Sequence, residues 1–110
     1  MVRPTRFEIA EAAENGRLVL SITGELDLNT APELARRVDE GLRREVEKVT
    51  LDLSDLTFMD SSGLRLLIEL NQRAGRDSWD LGLIAPTRES AGAVLRLTGA
   101  DVALPFEGRG

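Results

Sequence analysis

The chain has 110 residues, of which 42% are hydrophobic, and a formal net charge of −5 at pH 7. It contains neither cysteine nor histidine, which excludes disulfides, thiolate metal sites and Ser-His-Asp catalysis. An acidic chain with three Phe, one Trp and no Tyr is poorly suited to contact nucleic acid directly, because neutralising phosphates requires a basic surface.

The first half of the chain predicts a hairpin followed by a helix. Residues 7–9 alternate between apolar and polar, and residues 14–16, Glu-Asn-Gly, are a turn signal before the alternating segment at residues 17–26. In the next segment, Thr30 and Glu33 form a capping-box pattern ahead of apolar residues that recur every four positions. We therefore expect an amphipathic helix with its charged face in solvent.

The second half predicts two further strand-helix pairs. VEKVTLDLS and WDLGLIA are typical of strands, whereas SDLTFMD is interpreted as a loop. One helix is expected to follow that loop and to end at Gly75, and another to extend from Pro86-Thr87 to Gly99. VALPF is either a short last strand or an extended segment. This order favours an α/β fold with parallel neighbouring strands and one well-covered sheet face.

The junction at residues 51–64, LDLSDLTFMDSSGL, is the candidate functional site. In α/β folds, ligands gather at the carboxyl ends of strands and at helix N-termini. Asp60, Ser61 and Ser62 are good capping residues, so a helix start alone accounts for them. If Asp60 is the cap, however, the Ser61 hydroxyl is free of capping. Gly63 would sit in the first turn at a cost of about 0.5–1 kcal/mol relative to alanine, which suggests that something approaches the backbone closely there.

Apolar side chains stand directly before this helix start. We expect that one of Phe58 and Met59 packs against the helix and that the other faces a partner.

This junction lacks the residues and motifs that enzymatic roles of Ser61 or Asp60 would require. Ser61 has no histidine base and no nearby lysine, and a GxSxG motif is absent. Asp60 lacks the acidic cluster and the lysine of a receiver-type phosphoacceptor, since Lys48 is the only lysine in the chain. No glycine-rich phosphate loop is present. We therefore expect a protein that is not an enzyme and that binds no metal or cofactor.

The sequence resembles a known family at two places. LDLSDLTFMDSSGL, residues 51–64, resembles the signature of bacterial anti-sigma-factor antagonists, which are stand-alone STAS domains, and TGELDLNTAPEL, residues 23–34, resembles a second element of that family. The resemblance extends over nearly the whole chain. It implies a single STAS domain at residues 1–110, with a STAS-like α/β fold: a small, mostly parallel sheet of about four to five strands with helices packed mainly on one face.

The resemblance also implies a partner-switching function. The unphosphorylated form would bind an anti-sigma factor that is a serine kinase and so free the sigma factor. Phosphorylation at Ser61, the first serine of the pair, would prevent that binding, and a PP2C-type phosphatase would restore it. The partner-binding residues that the resemblance implies surround this serine: Asp27, Met59, Asp60, Ser61, Ser62, Gly63 and Arg65.

Two of these residues keep a second interpretation. Arg65 stands where the family often has a small residue, and it is either a solvated helix charge or a group that pairs with the phosphate or tunes the choice of partner. Asp27 either flanks the binding surface or bonds its own backbone, as aspartate before a helix often does. An alternative function is a STAS interaction module in a non-sigma signalling or transport complex.

Location and assembly complete the expectations. No stretch approaches the ~20 apolar residues of a membrane span, and the polar start lacks the apolar core of a signal peptide. We expect a cytoplasmic protein without membrane contact, as a monomer or a weak dimer.

Overall fold

The computed structural model describes residues 6–107. Strands and helices alternate along most of this range, so the predicted α/β class is confirmed. The ends of the predicted domain, residues 1 and 110, lie outside the described residues. The elements are, in chain order, β1 (Glu8–Glu14), β2 (Arg17–Leu26), α1 (Ala31–Arg43), β3 (Lys48–Asp52), β4 (Leu56–Met59), α2 (Ser61–Asp77), β5 (Asp80–Ile84), α3 (Glu89–Thr98) and α4 (Ala100–Ala103).

The long strand β2 is the centre of the sheet. It pairs antiparallel with β1 through the predicted turn, in which Asn15 and Gly16 have φ values of 52° and 77°, as a tight two-residue hairpin turn requires. Its first half pairs in parallel with β3 and its second half with β4, while β5 pairs in parallel with β3. The prediction of a mostly parallel sheet is therefore confirmed.

Alternation along β2 decides which face is buried. Leu18, Leu20 and Ile22 are fully buried, and Val19 and Ser21 between them are partly exposed. The buried side chains join one hydrophobic cluster with apolar residues of α1, α2 and β5. Burial of each such leucine contributes about 1.5–3 kcal/mol, so this face sets the position of the helices on the sheet.

The segment interpreted as a loop contains a strand. Leu56 pairs with Gly24 and Phe58 pairs with Glu25, which leaves Thr57 as an extra residue in β4. Such a bulge interrupts the two-residue alternation by which strands are recognised. β4 continues the line of β3 along the same edge of β2, and it carries the chain directly into α2.

Two predicted helix ends and one predicted cap bond were wrong. Helix α1 starts after Thr30, as predicted, but the Thr30 side chain does not cap it. The Thr30 hydroxyl binds Glu25 O at 2.7 Å and Asp27 N at 2.9 Å, so no capping box forms with the first turn of α1. α2 continues through Gly75 and ends at Asp77, and the C-cap residue Ser78 has a left-handed backbone with a φ of 62°. α3 begins at Glu89, three residues after the Pro86 start that the sequence predicts.

The C-terminal segment forms the short helix α4 before it becomes extended. Gly99 ends α3 as predicted, with a φ of 80°. Phe106 then makes a parallel bridge to Leu83 at the edge of β5. Within residues 6–107, no helix is both long and apolar enough to cross a bilayer.

An ion-pair cluster joins β1 to α1. Glu11 Oε1 lies 3.1 Å from Arg37 Nη2, and its Oε2 lies 2.9 Å from Arg44 Nη2. Hydrogen bonds from Arg44 and Arg37 hold the pKa of the Glu11 carboxyl below its ordinary value of 4.5. Because the folded pKa is depressed, this cluster stabilises the protein above the ordinary pKa, and the contribution is lost as the pH falls through the folded value.

We expect Glu11→Gln to lower the free energy of unfolding by about 0.5–1 kcal/mol at pH 7, the size of a partly exposed ion pair. Urea unfolding of both proteins between pH 3 and pH 7 measures this. The difference should shrink as the pH falls below 4.5. Glu8→Gln, which changes a carboxylate of the same strand that has no ion pair with another residue of the range 6–107, is the control. An equal loss in both variants at every pH would contradict the role of the pairs.

Candidate functional site

Asp60 caps α2, as the sequence predicts. Its backbone is extended, with φ −110° and ψ −172°. Its Oδ1 accepts hydrogen bonds from Ser62 N at 2.9 Å and from Gly63 N at 3.2 Å, and its carbonyl accepts the first helical bond from Leu64 N at 3.1 Å. One carboxylate thus satisfies two of the free N–H groups at this helix start.

The two serines have different surroundings. Ser61, the first residue of α2, is exposed, and its hydroxyl makes no hydrogen bond to any other described residue. Ser62 is partly buried and faces a groove towards α1. The structure therefore supports the prediction that Ser61 carries a hydroxyl with no capping duty.

Gly63 is required by a contact inside the protein. A Cβ on this buried glycine would lie 2.7 Å from Leu26 O, 2.9 Å from Leu26 Cγ and 2.9 Å from Met59 Cγ. The close approach inferred from the sequence is thus that of strand β2. It is not the approach of a partner, to which this glycine offers almost no surface.

The two apolar residues before α2, Phe58 and Met59, have different surroundings. Met59, predicted as a partner contact, is only 3% exposed and belongs to the core, so it presents almost no surface to a partner. Phe58 is 40% exposed beside Glu25 at the end of the sheet. Met59 therefore anchors the helix start, and Phe58 is the apolar side chain that a partner can reach.

Asp27 shapes the loop between β2 and α1. Its Oδ1 accepts hydrogen bonds from Asn29 N at 2.9 Å, Thr30 N at 3.1 Å and the Thr30 hydroxyl at 3.2 Å. The interpretation that Asp27 bonds its own backbone is confirmed. This local network presents Leu28, which is 72% exposed, next to the start of α2.

A shallow groove of about 250 Å³ separates this loop and α1 from α2. Leu28 is not among the residues predicted from the sequence, although an apolar residue in a polar loop before a helix is a usable signal. Arg65 on the opposite wall is exposed and forms no ion pair with a described residue. The groove is lined by Leu28, Ala31, Pro32, Ala35, Ser62, Arg65, Leu66 and Glu69.

The connection from β5 to α3 closes the same end of the sheet. Thr87 Oγ1 donates to Ser54 O at 3.0 Å, and the Ser90 hydroxyl donates to the carbonyl of Thr57. These bonds tie the start of α3 to the region of β4, next to the site. The Asp27 loop follows β2 and the start of α2 follows β4. Because these two strands are parallel neighbours, both segments lie at the same edge of the sheet.

The arrangement suits a serine that is acted upon by another protein. Ser61 is exposed at a helix N-terminus, where added negative charge is favourable by about 0.3–1 kcal/mol. Its hydroxyl bonds no side chain that could act as a general base within the described residues. Such a hydroxyl can receive a phosphoryl group without losing a structural hydrogen bond.

Comparison with known proteins identifies relatives over nearly the whole chain. The family described as "Mlab, STAS domain" matches residues 9–105. Over 85 residues, the chain is 34% identical to the anti-sigma-F factor antagonist RsfB of Mycobacterium tuberculosis. The aligned region covers 77% of this chain and 69% of that protein. The resemblance seen in the sequence is confirmed.

Solved structures show the same fold. An anti-sigma factor antagonist from Mycobacterium paratuberculosis superposes with a TM-score of 0.79 at 24% identity, covering 94% of this chain and 87% of that one. The Bacillus protein SpoIIAA matches at 18% identity in its unphosphorylated form, with a TM-score of 0.72 over 94% of this chain and 90% of that one. Its phosphorylated form gives 0.66 over 94% and 93%. The predicted fold class is therefore confirmed.

Alanine substitution at two glycines of α2 should have opposite effects. Gly63→Ala forces a Cβ against the Leu26 carbonyl, and we expect it to lower the free energy of unfolding by about 1–3 kcal/mol. Gly75→Ala meets nothing within 4 Å and should raise it by about 0.5–1 kcal/mol through helix propensity. Urea unfolding measures both, and stabilisation by Gly63→Ala would contradict the close contact.

Removal of the cap should weaken the helix start. We expect Asp60→Ala to cost about 0.5–2 kcal/mol, whereas Asp60→Asn keeps an oxygen acceptor and should stay close to the wild type. Urea unfolding measures the cost, and amide hydrogen exchange at Ser62 and Gly63 shows its location. Equal protection in both variants would contradict the capping role.

Proposed function

Because the chain belongs to the STAS domain family, we propose that it is an anti-sigma factor antagonist controlled by phosphorylation at Ser61. The observation that carries this proposal is the exposed Ser61 hydroxyl at the Asp60-capped start of α2. The similarity to RsfB, named as an anti-sigma-F factor antagonist, supports the role in sigma control. The existence of SpoIIAA in phosphorylated and unphosphorylated forms supports control by phosphate.

The proposed binding surface surrounds Ser61. Phe58 and Leu28 supply exposed apolar area on either side, and the groove walls between α1 and α2 extend it. In the unphosphorylated state, an anti-sigma factor covers this surface and releases its sigma factor. Asp27 and Asp60 contribute mainly by fixing the loop and the helix start, while Ser62 and Arg65 line the groove itself.

Phosphorylation prevents binding of the anti-sigma factor by adding charge to this surface. The anti-sigma factor, as a serine kinase, transfers a phosphoryl group from ATP to Ser61 Oγ and leaves ADP. The product carries about −1.5 to −2 additional charge at pH 7. The helix N-terminus accommodates that charge, so the fold is retained. Charge placed in a complementary interface costs several kcal/mol, which corresponds to a loss of about two or more decades in affinity.

The remaining parts of the cycle lie in other proteins. A PP2C-type phosphatase hydrolyses the phosphoserine and restores the binding form. The antagonist itself is a regulatory binding protein, a monomer or a weak dimer. We place it in the cytoplasm, where bacterial sigma factors act.

The site of phosphate transfer can be mapped by mass spectrometry. We expect one phosphate per chain after incubation with the cognate anti-sigma factor and ATP, no phosphate on Ser61→Ala, and normal phosphorylation of Ser62→Ala, because Ser61 is exposed whereas Ser62 is partly buried. If Ser61→Ala were phosphorylated and Ser62→Ala were not, the phosphorylation site would be the second serine. Absence of both transfer and binding would favour a STAS module outside sigma control.

Charge at position 61 should be sufficient to weaken binding. We expect Ser61→Asp to bind the anti-sigma factor at least about tenfold more weakly than the wild type by isothermal titration calorimetry, since like charges at an interface cost more than 1.4 kcal/mol. Gln72→Glu adds the same charge on the exposed side of α2, about 16 Å along the helix, and should bind normally. Equal affinity of Ser61→Asp and wild type would contradict the charge mechanism.

A further inference from the structure

Arg65 is a cation placed one helical turn after the phosphoacceptor. We infer that Arg65 is an intramolecular ligand for the phosphate on Ser61, an inference that rests on the proposed phosphorylation. In the unphosphorylated protein this guanidinium is available for binding. In the phosphorylated protein it binds the phosphate along the side of α2.

The helix geometry brings the two groups together. Both residues belong to α2 and are exposed, and residues four apart on a helix have Cβ atoms about 5–6 Å apart on one face. Side chains on a helix lean towards its N-terminus, so Arg65 leans towards Ser61. A guanidinium binds phosphate oxygens through two parallel N–H bonds, a geometry that the long arginine side chain reaches across one turn.

The guanidinium is available because no carboxylate holds it. On the same helix, Arg73 is bound to Asp39 at 2.8 Å, whereas Arg65 has no carboxylate within 4.0 Å among the described residues. Glu69 lies four residues further along, but an arginine that precedes a glutamate is the weaker order for a helical ion pair. A phosphate on Ser61 therefore meets little competition.

The other charged groups at this end of the sheet make Arg65 important to the phosphate. The nearby strand and helix ends contribute the carboxylates Glu25, Asp27 and Asp60, which repel a phosphate. Arg88, the N-cap residue of α3, is a further arginine at this end. A matched test therefore has to separate Arg65 from Arg88.

The consequence is a phosphoserine with an altered titration. Arg65 favours the dianion, so the second ionisation of the phosphate occurs at a lower pH than it would without this residue. Phosphoserine ordinarily titrates near pH 6. The pair thus keeps the phosphorylated form fully charged at neutral pH and holds its phosphate against α2.

The test uses the full chain with phosphoserine incorporated at position 61 by an expanded genetic code, followed by ³¹P NMR as a function of pH. No kinase is needed, so a negative result here leaves the phosphosite mapping unaffected, and a kinase that ignores Ser61 leaves this titration interpretable. The variants are Arg65→Ala, Arg65→Lys, Arg88→Ala and Arg76→Ala. Arg76, in the last turn of α2, controls for the loss of one positive charge far from the site. Circular dichroism verifies that each variant is folded.

We expect the phosphate of Arg65→Ala to titrate about half a pH unit higher than that of the wild type, the effect of one charge at roughly 5 Å in a water-like dielectric. Arg65→Lys should restore most of the shift, and Arg76→Ala and Arg88→Ala should titrate like the wild type. The inference is overturned if Arg65→Ala titrates like the wild type, if Arg88→Ala alone shifts, or if all alanine variants shift equally.

Discussion

The contact between Gly63 and the carbonyl of Leu26 fixes the geometry on which the site depends. A side chain at position 63 would occupy the space of that carbonyl, so the first turn of α2 can lie directly against the end of β2. Asp60 N donates to the same carbonyl at 3.3 Å, and the Asp60 carboxylate caps the helix. With its neighbours held in this way, Ser61 is directed to solvent on a rigid frame.

The packing around Ser61 is compatible with the proposed phosphate switch. The core beneath the site consists of fully buried side chains of β2, β4 and α2, and none of them has to move when Ser61 is modified. In the proposed switch, the helix N-terminus and the Arg65 side chain accept the added charge, whereas a bound partner does not. Under this proposal, phosphate changes the charge of the surface that the partner contacts and leaves its shape unchanged.

Local signals in the sequence identified most of the frame around Ser61. The Asp60 cap, the turn at Asn15-Gly16 and the apolar alternation of β2 depend on neighbouring residues, and the structure agrees with all three. The errors concern contacts between distant segments. Thr57 forms a bulge that hides β4, and the partner of Gly63 is a carbonyl 37 positions earlier in the chain. Burial of Met59 rather than Phe58 also depends on the packing of α2 against the sheet, which no local pattern encodes.

In the proposed switch, phosphorylation changes charge on an unchanged fold, and amide NMR measures whether the fold changes. Two-dimensional ¹H–¹⁵N spectra of the chain with serine and with phosphoserine at position 61 locate every perturbed backbone amide. We expect shifts confined to the first turns of α2, the Asp27 loop and the end of β4. Shifts of similar size throughout β1, β5 and the distal half of α1 would show that the phosphate rearranges the fold, and would rule out a switch that acts by charge alone.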